Sequence, residues 1–431
     1  MIDTKELQKY YDEYLSKKTI YDKMYEYYKG NTDAMKNYKM ITDRANNKIN
    51  TNFMKKFVKE EMAYSVGNPI TYISKTSNTK IIDDISYYTG HWSENHDSDL
   101  MKAMLIHSVA YELYYIDKDT EEFSSRIISP RNGYAVTDDY GKVLLFMHIF
   151  TQKYDDTKIF IDIHTDTEVI HCDDAFKTLS TDTHIFGVVP VGIAQISPEL
   201  EDDTIYKDIK GLQDSLEVNL SDISNEISDF RNAYLAFTGV DIEETDLPKM
   251  KEQGIIAIPV ADGKVEWIIK NINDSFIQNT LNTVEGKMYQ ITSHINNNEA
   301  MQSNTSSLAI RARLISLEQK CRLNDGALKN CIKTRLKMLF IFLKFSQGTE
   351  YDYKDIKSKF TPCIPSDDTA NANIISQVGD VISKETSRSL FSFIDNPINE
   401  GKKVDKENKA NSIGNDLLNP TVAATNTVVT K

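Results

Sequence analysis

The chain has 431 residues, of which 40% are apolar, with 64 Asp and Glu against 50 Lys and Arg for a net charge of −14. That length exceeds one typical domain and predicts two to four compact units. The acidic balance excludes a simple DNA-wrapping protein, which would be basic, and the longest apolar run, Met338 to Leu343, is far short of a membrane span. The four cysteines show no paired spacing and read as reduced thiols of an intracellular protein. No secretory leader is expected.

An amphipathic helix is predicted over residues 5–28, with Leu7, Tyr11, Tyr14, Leu15, Tyr21, Met24 and Tyr28 near one face and Gly30 as its stop. A second is predicted over 52–65, halted by Gly67-Asn68-Pro69, followed by a strand at 70–73 and a helix at 98–107. From Glu112 to Val191 short apolar runs such as Val143-Leu144-Leu145-Phe146-Met147 and Ile159-Phe160-Ile161-Asp162-Ile163 alternate with Asp-rich turns. That pattern predicts one antiparallel meander.

The stretch 204–345 is built of rods. Ile205, Ile209, Leu212, Leu216, Leu220, Ile223, Ile227, Phe230, Tyr234 and Phe237 step by threes and fours, predicting a helix to Phe237 with one buried stripe and acidic flanks that include Glu217, Asp222, Glu226 and Asp229. Two apolar runs, 254–260 and 265–269, flank Asp262-Gly263 and predict a β-hairpin. A helix over 273–298, a polar and nearly uncharged loop around 299–307, and a long basic helix carrying Arg311 and Arg313 follow. Gly326 falls inside that last helix, which predicts a kink or a close contact there. Further on, helices are predicted at 368–383 and 386–393, the latter capped by Thr386. The residues after about Lys406 read as a flexible tail.

Little here predicts chemistry. No phosphate-binding Gly-rich loop and no His-Glu-x-x-His occurs. His164, His171 and Cys172 lie close in sequence but lack a fourth ligand at zinc spacing, and read as strand and turn residues. His91 and His96 read as surface residues. The Asp-Asp pairs at 83–84, 138–139, 155–156, 173–174, 202–203 and 367–368 are the one pattern that suits a metal-dependent nuclease. Several sit in turns, where Asp is favoured for local hydrogen bonds. The expectation is a non-enzymatic protein without cofactor or metal, with a DNA-processing nuclease as the alternative.

The order of several segments resembles the portal proteins of tailed double-stranded-DNA phages of the siphophage type. They are Tyr27-Tyr28-Lys29-Gly30-Asn31, Asn46-Asn47-Lys48-Ile49-Asn50-Thr51-Asn52-Phe53, Ser65-Val66-Gly67-Asn68-Pro69-Ile70-Thr71-Tyr72, Ile127-Ile128-Ser129-Pro130-Arg131-Asn132, Ile223-Ser224-Asn225-Glu226-Ile227-Ser228-Asp229-Phe230, Ala233-Tyr234-Leu235-Ala236-Phe237-Thr238-Gly239 and Ser306-Ser307-Leu308-Ala309-Ile310. The likeness spans about residues 20–400, and the order of these segments carries it rather than any single fingerprint.

The resemblance implies an α+β fold and a dodecameric ring at one capsid vertex of the virion, made in the host cytoplasm, through which DNA is packaged and ejected. Residues 1–200 and 309–348 would form the wing, 201–237 and 272–297 the stem, 238–271 the clip, 298–308 a tunnel loop and 349–405 a crown. The implied partners are double-stranded DNA, the terminase large subunit, a head–tail adaptor, and the major capsid and scaffolding proteins, with no membrane. Gln302, Ser303, Asn304, Thr305 and Ser306 would face DNA, where the family often has Gly and Pro. Ile256, Ile258, Lys264, Trp267 and Ile269 would serve docking and subunit contact in the clip. Asp222, Glu226 and Asp229 would meet Arg311 and Arg313 between neighbouring stems.

Overall fold

The computed structural model describes residues 3–39, 46–198, 202–230, 234–238, 264–268, 274–296 and 307–362, then 372–373, 375–377, 381–391, 394 and 397–418. The chain divides into a large unit, Met1–Cys363, and a small one, Ile364–Lys431.

The large unit begins with α1 (Thr4–Lys29), α2 (Asp33–Asn37) and α3 (Phe53–Val66). Asp3 caps α1 by accepting from the Lys5 amide. Gly30 ends it at φ 91°, with Asn31 N–H donating to the Glu26 carbonyl and Gly30 N–H to Tyr27. That left-handed turn is natural for glycine and strained for other residues. Next come β1 (Thr71–Ser74), α4 (Thr79–Thr89) and α5 (His96–His107).

The predicted single meander is two sheets. Strands β2 (Val109–Ile116), β3 (Phe123–Ile128) and β9 (Val191–Gln195) form one, in the order β3-β2-β9. Strands β4 (Gly133–Thr137), β5 (Val143–Gln152), β6 (Asp155–His164), β7 (Glu168–Asp173) and β8 (Thr178–Thr183) form an antiparallel meander. The division arises because β9 returns to pair with β2, Val109 opposite Gln195. One face of the meander buries Tyr134, Met147, Ile161, Ile163 and Cys172 against Leu7 and Tyr14 of α1.

Then follow α6 (Ile205–Phe230), β10 (Tyr234–Thr238), β11 (Lys264–Ile268), α7 (Asp274–Ile291), α8 (Ser307–Gln347) and β12 (Ile356–Lys359), the last paired with β1. Helix α8 is 41 residues, about 60 Å at 1.5 Å per residue. It crosses β9 at Gly192, where a Cβ would stand 2.5 Å from the Tyr114 hydroxyl and 2.7 Å from Cys331 Sγ. At Gly326, by contrast, a Cβ would meet nothing within 4 Å. The expected close contact at that position is absent from the described residues.

A buried ionic knot fixes α8 to the three-stranded sheet. Arg335 donates to Glu112 from Nε (2.8 Å) and Nη2 (3.1 Å), and to Asp97 at 2.7 Å. Tyr114 and Ser125 also donate to Glu112, and His96 Nε2 lies 2.8 Å from it. Arg335 and the other donors hold the Glu112 carboxyl at about 2 despite complete burial. His96 therefore belongs to this buried network and is not the surface residue that its polar loop suggested.

Four further expectations are corrected. The helix predicted to reach Phe237 ends at Phe230, and Tyr234–Thr238 is β10, paired antiparallel with β11 from Tyr234–Ile268 to Thr238–Lys264. Tyr, Phe and Thr favour strands, and a short apolar run does not distinguish the two periods. The predicted partner run 254–260 lies outside the described residues. Helix α7 stops at Ile291 rather than near Asn298, because Ser293 takes φ 62° and His294 N–H donates back to the Tyr289 carbonyl, closing a left-handed cap. In the small unit, Ser383 rather than Thr386 caps α9 (Lys384–Arg388), accepting from the Thr386 amide. Helix α10 (Pro397–Leu418) replaces the predicted tail over 406–418; Pro397 suits a first helical turn, and Lys, Glu and Ala propagate it. Residues 419–431 lie outside the described residues.

Candidate functional site

The element that organises the large unit is α6. Its apolar row behaves as expected at Ile205, Ile209 and Leu216, which are buried, but Ile227 is 58% exposed. Beside it runs a second row, Gln213, Glu217, Ser221 and Asn225, spaced by four and with no exposed surface. Burying polar groups is costly unless each is hydrogen-bonded.

The partner is segment 46–54, extended up to Thr51 and entering the first turn of α3 at Phe53. Its backbone amides donate in turn to this row: Asn47 to Asn225 Oδ1 (2.6 Å), Ile49 to Ser221 Oγ (2.9 Å), Thr51 to Glu217 Oε1 (3.0 Å) and Met54 to Gln213 Oε1 (3.4 Å). The geometry is commensurate. Alternate residues of an extended chain advance by about 6.6 Å and every fourth helix residue by about 6 Å, so the two rows stay in step for three rungs. Glu217 also accepts from the Thr32 hydroxyl at 2.5 Å, and the Asn225 amide donates to Tyr38 Oη and the Asn47 carbonyl. The helix is thus strapped along its length by segment 46–54 and by the start of α2.

Helix α7 packs along α6. Its exit is anchored by a second buried cluster. Glu61 of α3 receives Lys320 Nζ at 2.9 Å and the Asn324 amide at 2.7 Å, and Lys320 also donates to the Thr292 carbonyl. The His294 ring stacks on Phe57 at 4.3 Å and lies 3.6 Å from Glu61. Burial raises the Glu61 pKa while Lys320 pulls it back. Burial, aided by Lys320, pushes His294 down to about 3, so the ring is neutral at neutral pH. From Lys320, α8 runs 13 residues back to Ser307, about 20 Å, to meet the connection from α7.

The residues singled out in the sequence fall as follows. Asp222 is exposed on α6 and accepts from Tyr38 Oη at 2.6 Å. Glu226 is half-buried on the same helix, and Asp229 lies in its last turn. Glu217, grouped with the acidic flank, is instead buried in the strap. Arg311 and Arg313 lie in the first turns of α8, with Arg313 exposed. Lys264 and Trp267 are on β11, opposite Thr238 and Leu235. Ile256, Ile258, Ile269 and Gln302 to Ser306 lie outside the described residues. The strap and the Glu61 cluster were missed, although a polar row at spacing four beside an apolar one was visible.

No constellation for catalysis assembles among the described residues, where no group of three or more His, Cys, Asp or Glu is placed to hold a metal ion. Asp138 and Asp173 use their carboxylates to accept backbone amides within their own turns. His171 and Cys172 point to opposite faces of β7, as strand alternation requires. His171 pairs with Asp162 at 2.6 Å, and Cys172 is in the apolar core. None of the described helices is long and apolar enough to cross a membrane.

Comparison with known proteins bears on the whole chain. No curated protein matches it. Among solved structures it is similar to a chain of the neck of an empty GTA particle computed with C6 symmetry, at 10% identity and TM-score 0.45, covering 79% of this chain and 89% of that one. It is likewise similar to a chain in the neck of a native GTA particle computed with C12 symmetry, at 10% identity and TM-score 0.45, covering 79% and 88%. The sequence matches the family described as phage portal protein, SPP1 Gp6-like, over residues 7–413. With nearly its whole length matched, the chain belongs to that family of phage portal proteins.

Proposed function

We propose that this protein assembles into a ring at one vertex of a phage capsid and forms the channel through which double-stranded DNA is packaged and ejected. Its membership of the portal family across residues 7–413 carries the reading. In this role the protein is a structural component of the virion and not an enzyme.

The chain's physics supports that use. A channel that passes DNA must not hold it, and Lys and Arg contacts to phosphate dominate DNA affinity. The loop Gln302-Ser303-Asn304-Thr305-Ser306 is uncharged, and we assign it to the channel wall as a weak, sequence-blind contact. The strapped α6 and its partner α7 serve as the stem, where a rigid rod is needed. Asp222, Glu226 and Asp229 of one subunit face Arg311 and Arg313 of the next. The region of β10 and β11, with Ile256, Ile258, Lys264, Trp267 and Ile269, is the docking surface for the terminase large subunit and then the head–tail adaptor. Capsid and scaffolding proteins surround the ring.

Electron microscopy of the purified protein, with its mass in solution, tests the reading. Rings with a central hole are expected, with a symmetry that gives the subunit number. A compact dimer with a closed interface would overturn it. Magnesium-dependent cleavage of DNA by the purified ring would restore the nuclease alternative.

A further inference from the structure

A group of lysines without ion-pair partners lies on the described surface of the large unit. Lys329, Lys333 and Lys337 stand at intervals of four on α8 and so share one stripe. Beside them lies the β1–β12 ribbon. Tyr72 of β1 points inward, its hydroxyl 3.2 Å from Arg335. Thr71, Ile73, Lys357 and Lys359 are on the outward face, with Thr71 opposite Lys359 and Ile73 opposite Lys357.

One contact joins ribbon and stripe, and a second closes the end of the ribbon. Lys329 Nζ sits 5.0 Å from the centre of the Phe360 ring, next to Lys359. Lys75 Nζ donates to the Lys354 carbonyl at 2.6 Å, which brings a further pair of lysines to the end of the ribbon. These seven lysines make no ion pair among the described residues, whereas their neighbours Arg335 and Lys344 are paired, with Asp97 and Glu350. Of the carboxylates nearest in the chain, Asp325 is buried one turn before Lys329 on α8, where that lysine's charge acts on it, and the other two are engaged locally. Asp355 accepts from Ser74 Oγ, Thr76 N–H and Thr76 Oγ1, and Asp352 accepts from the Lys354 amide.

We propose that this lysine face is a docking surface for the sugar–phosphate backbone of double-stranded nucleic acid, separate from the channel wall. Lysine is depleted in protein–protein interfaces, which are built around apolar and aromatic anchors. Here Ile73 is the single large apolar side chain more than a third exposed on the ribbon. Lysine ammonium groups suit phosphates as mobile point charges. The face presents no Arg and so lacks the fork that reads guanine, and the binding is blind to sequence. In a protein of net charge −14 such a face also orients a polyanion, because the rest of the molecule repels it. The proposal does not require a ring: microscopy decides the ring and a binding titration decides the face.

The test is fluorescence anisotropy of the full-length protein with a labelled mixed-sequence duplex, titrated at several salt concentrations. Binding is expected to weaken with salt, with a log–log slope near −0.9 per phosphate contact. The triple variant K329Q/K333Q/K337Q is expected to lose affinity at least tenfold at low salt and to flatten the slope by about 2 to 3. The variant K357E/K359E, on a different element, is expected to do the same, which keeps the test decisive should one variant fold poorly. The triple variant K142Q/K158Q/K177Q, on the meander, should leave both quantities unchanged. Absence of binding at low salt, or an equal loss in the meander variant, would overturn the proposal. Equal or tighter binding of a poly-glutamate peptide of the same charge would also overturn it and assign the face to an acidic protein.

Discussion

His164 is a buried residue whose two ring nitrogens find no hydrogen-bond partner among the described residues. Burial, reinforced by His148, His184 and His171, pushes its pKa down to about 3. An unfolded chain holds that proton below about pH 6.5 while the native state refuses it. The resulting cost is absent above pH 6.5, grows as pH falls, and levels off near pH 3. At pH 5 it amounts to about 2 kcal/mol. The variant H164L is expected to match or exceed the wild type in urea unfolding at pH 7.5, since no partner is orphaned, and to lose less stability between pH 7.5 and 5. An identical loss in both proteins would exonerate this histidine. Glu217 behaves in the opposite way, because E217A strands the Thr32 hydroxyl, the Thr51 amide and the Gln213 side chain together. At roughly 1–3 kcal/mol for each buried orphan, a loss of at least about 3 kcal/mol is expected. S221A strands mainly the Ile49 amide and should cost about 1–3 kcal/mol in the same urea series.

The long helix α8 offers one substitution with two signs. Gly326 lies within it and has open space where a Cβ would be, so G326A should raise stability by about 0.5–1 kcal/mol through helix propensity alone. Gly192 lies on the strand that α8 crosses, and G192A drives a methyl group into Tyr114 and Cys331, at a cost of about 1–3 kcal/mol. Thermal melts of the two variants should move in opposite directions. What the sequence disclosed at this scale follows from locality. The ends of α1 were legible because Gly30 is a local signal, and the rods because their periodicity is local. The separation of β2, β3 and β9 from the meander was not, since it depends on β9 returning to pair with β2 from beyond the whole meander, Leu113 opposite Val191. Helix α4 was missed, although its Ile81 and Ile85 fall one turn apart and are buried. The strap was illegible for a further reason: Gln213, Glu217, Ser221 and Asn225 have the composition of a solvated face, and only their partner's backbone makes them interior.

For the whole molecule, the segment order identified the family, whereas the loop assigned to the channel lies outside the described residues. Charge ties the two together. In the proposed ring, every subunit presents the same uncharged Gln302-Ser303-Asn304-Thr305-Ser306 to passing DNA. A single substitution is therefore multiplied by the subunit number. Lysines at Ser303 and Asn304 would convert a sequence-blind, non-adhesive loop into a collar of phosphate contacts. Each contact releases counterions and strengthens binding most at low salt, so translocation would have to break the whole collar at every step. The double variant S303K/N304K is expected to assemble into rings as the wild type does and to enter capsids, yet to package less DNA, with the deficit shrinking as salt is raised. The neutral variant S303A/N304A separates charge from shape and should package normally. Full packaging by the lysine variant at low salt would remove these residues from the channel wall, while a loss of rings would move them to the contact between subunits.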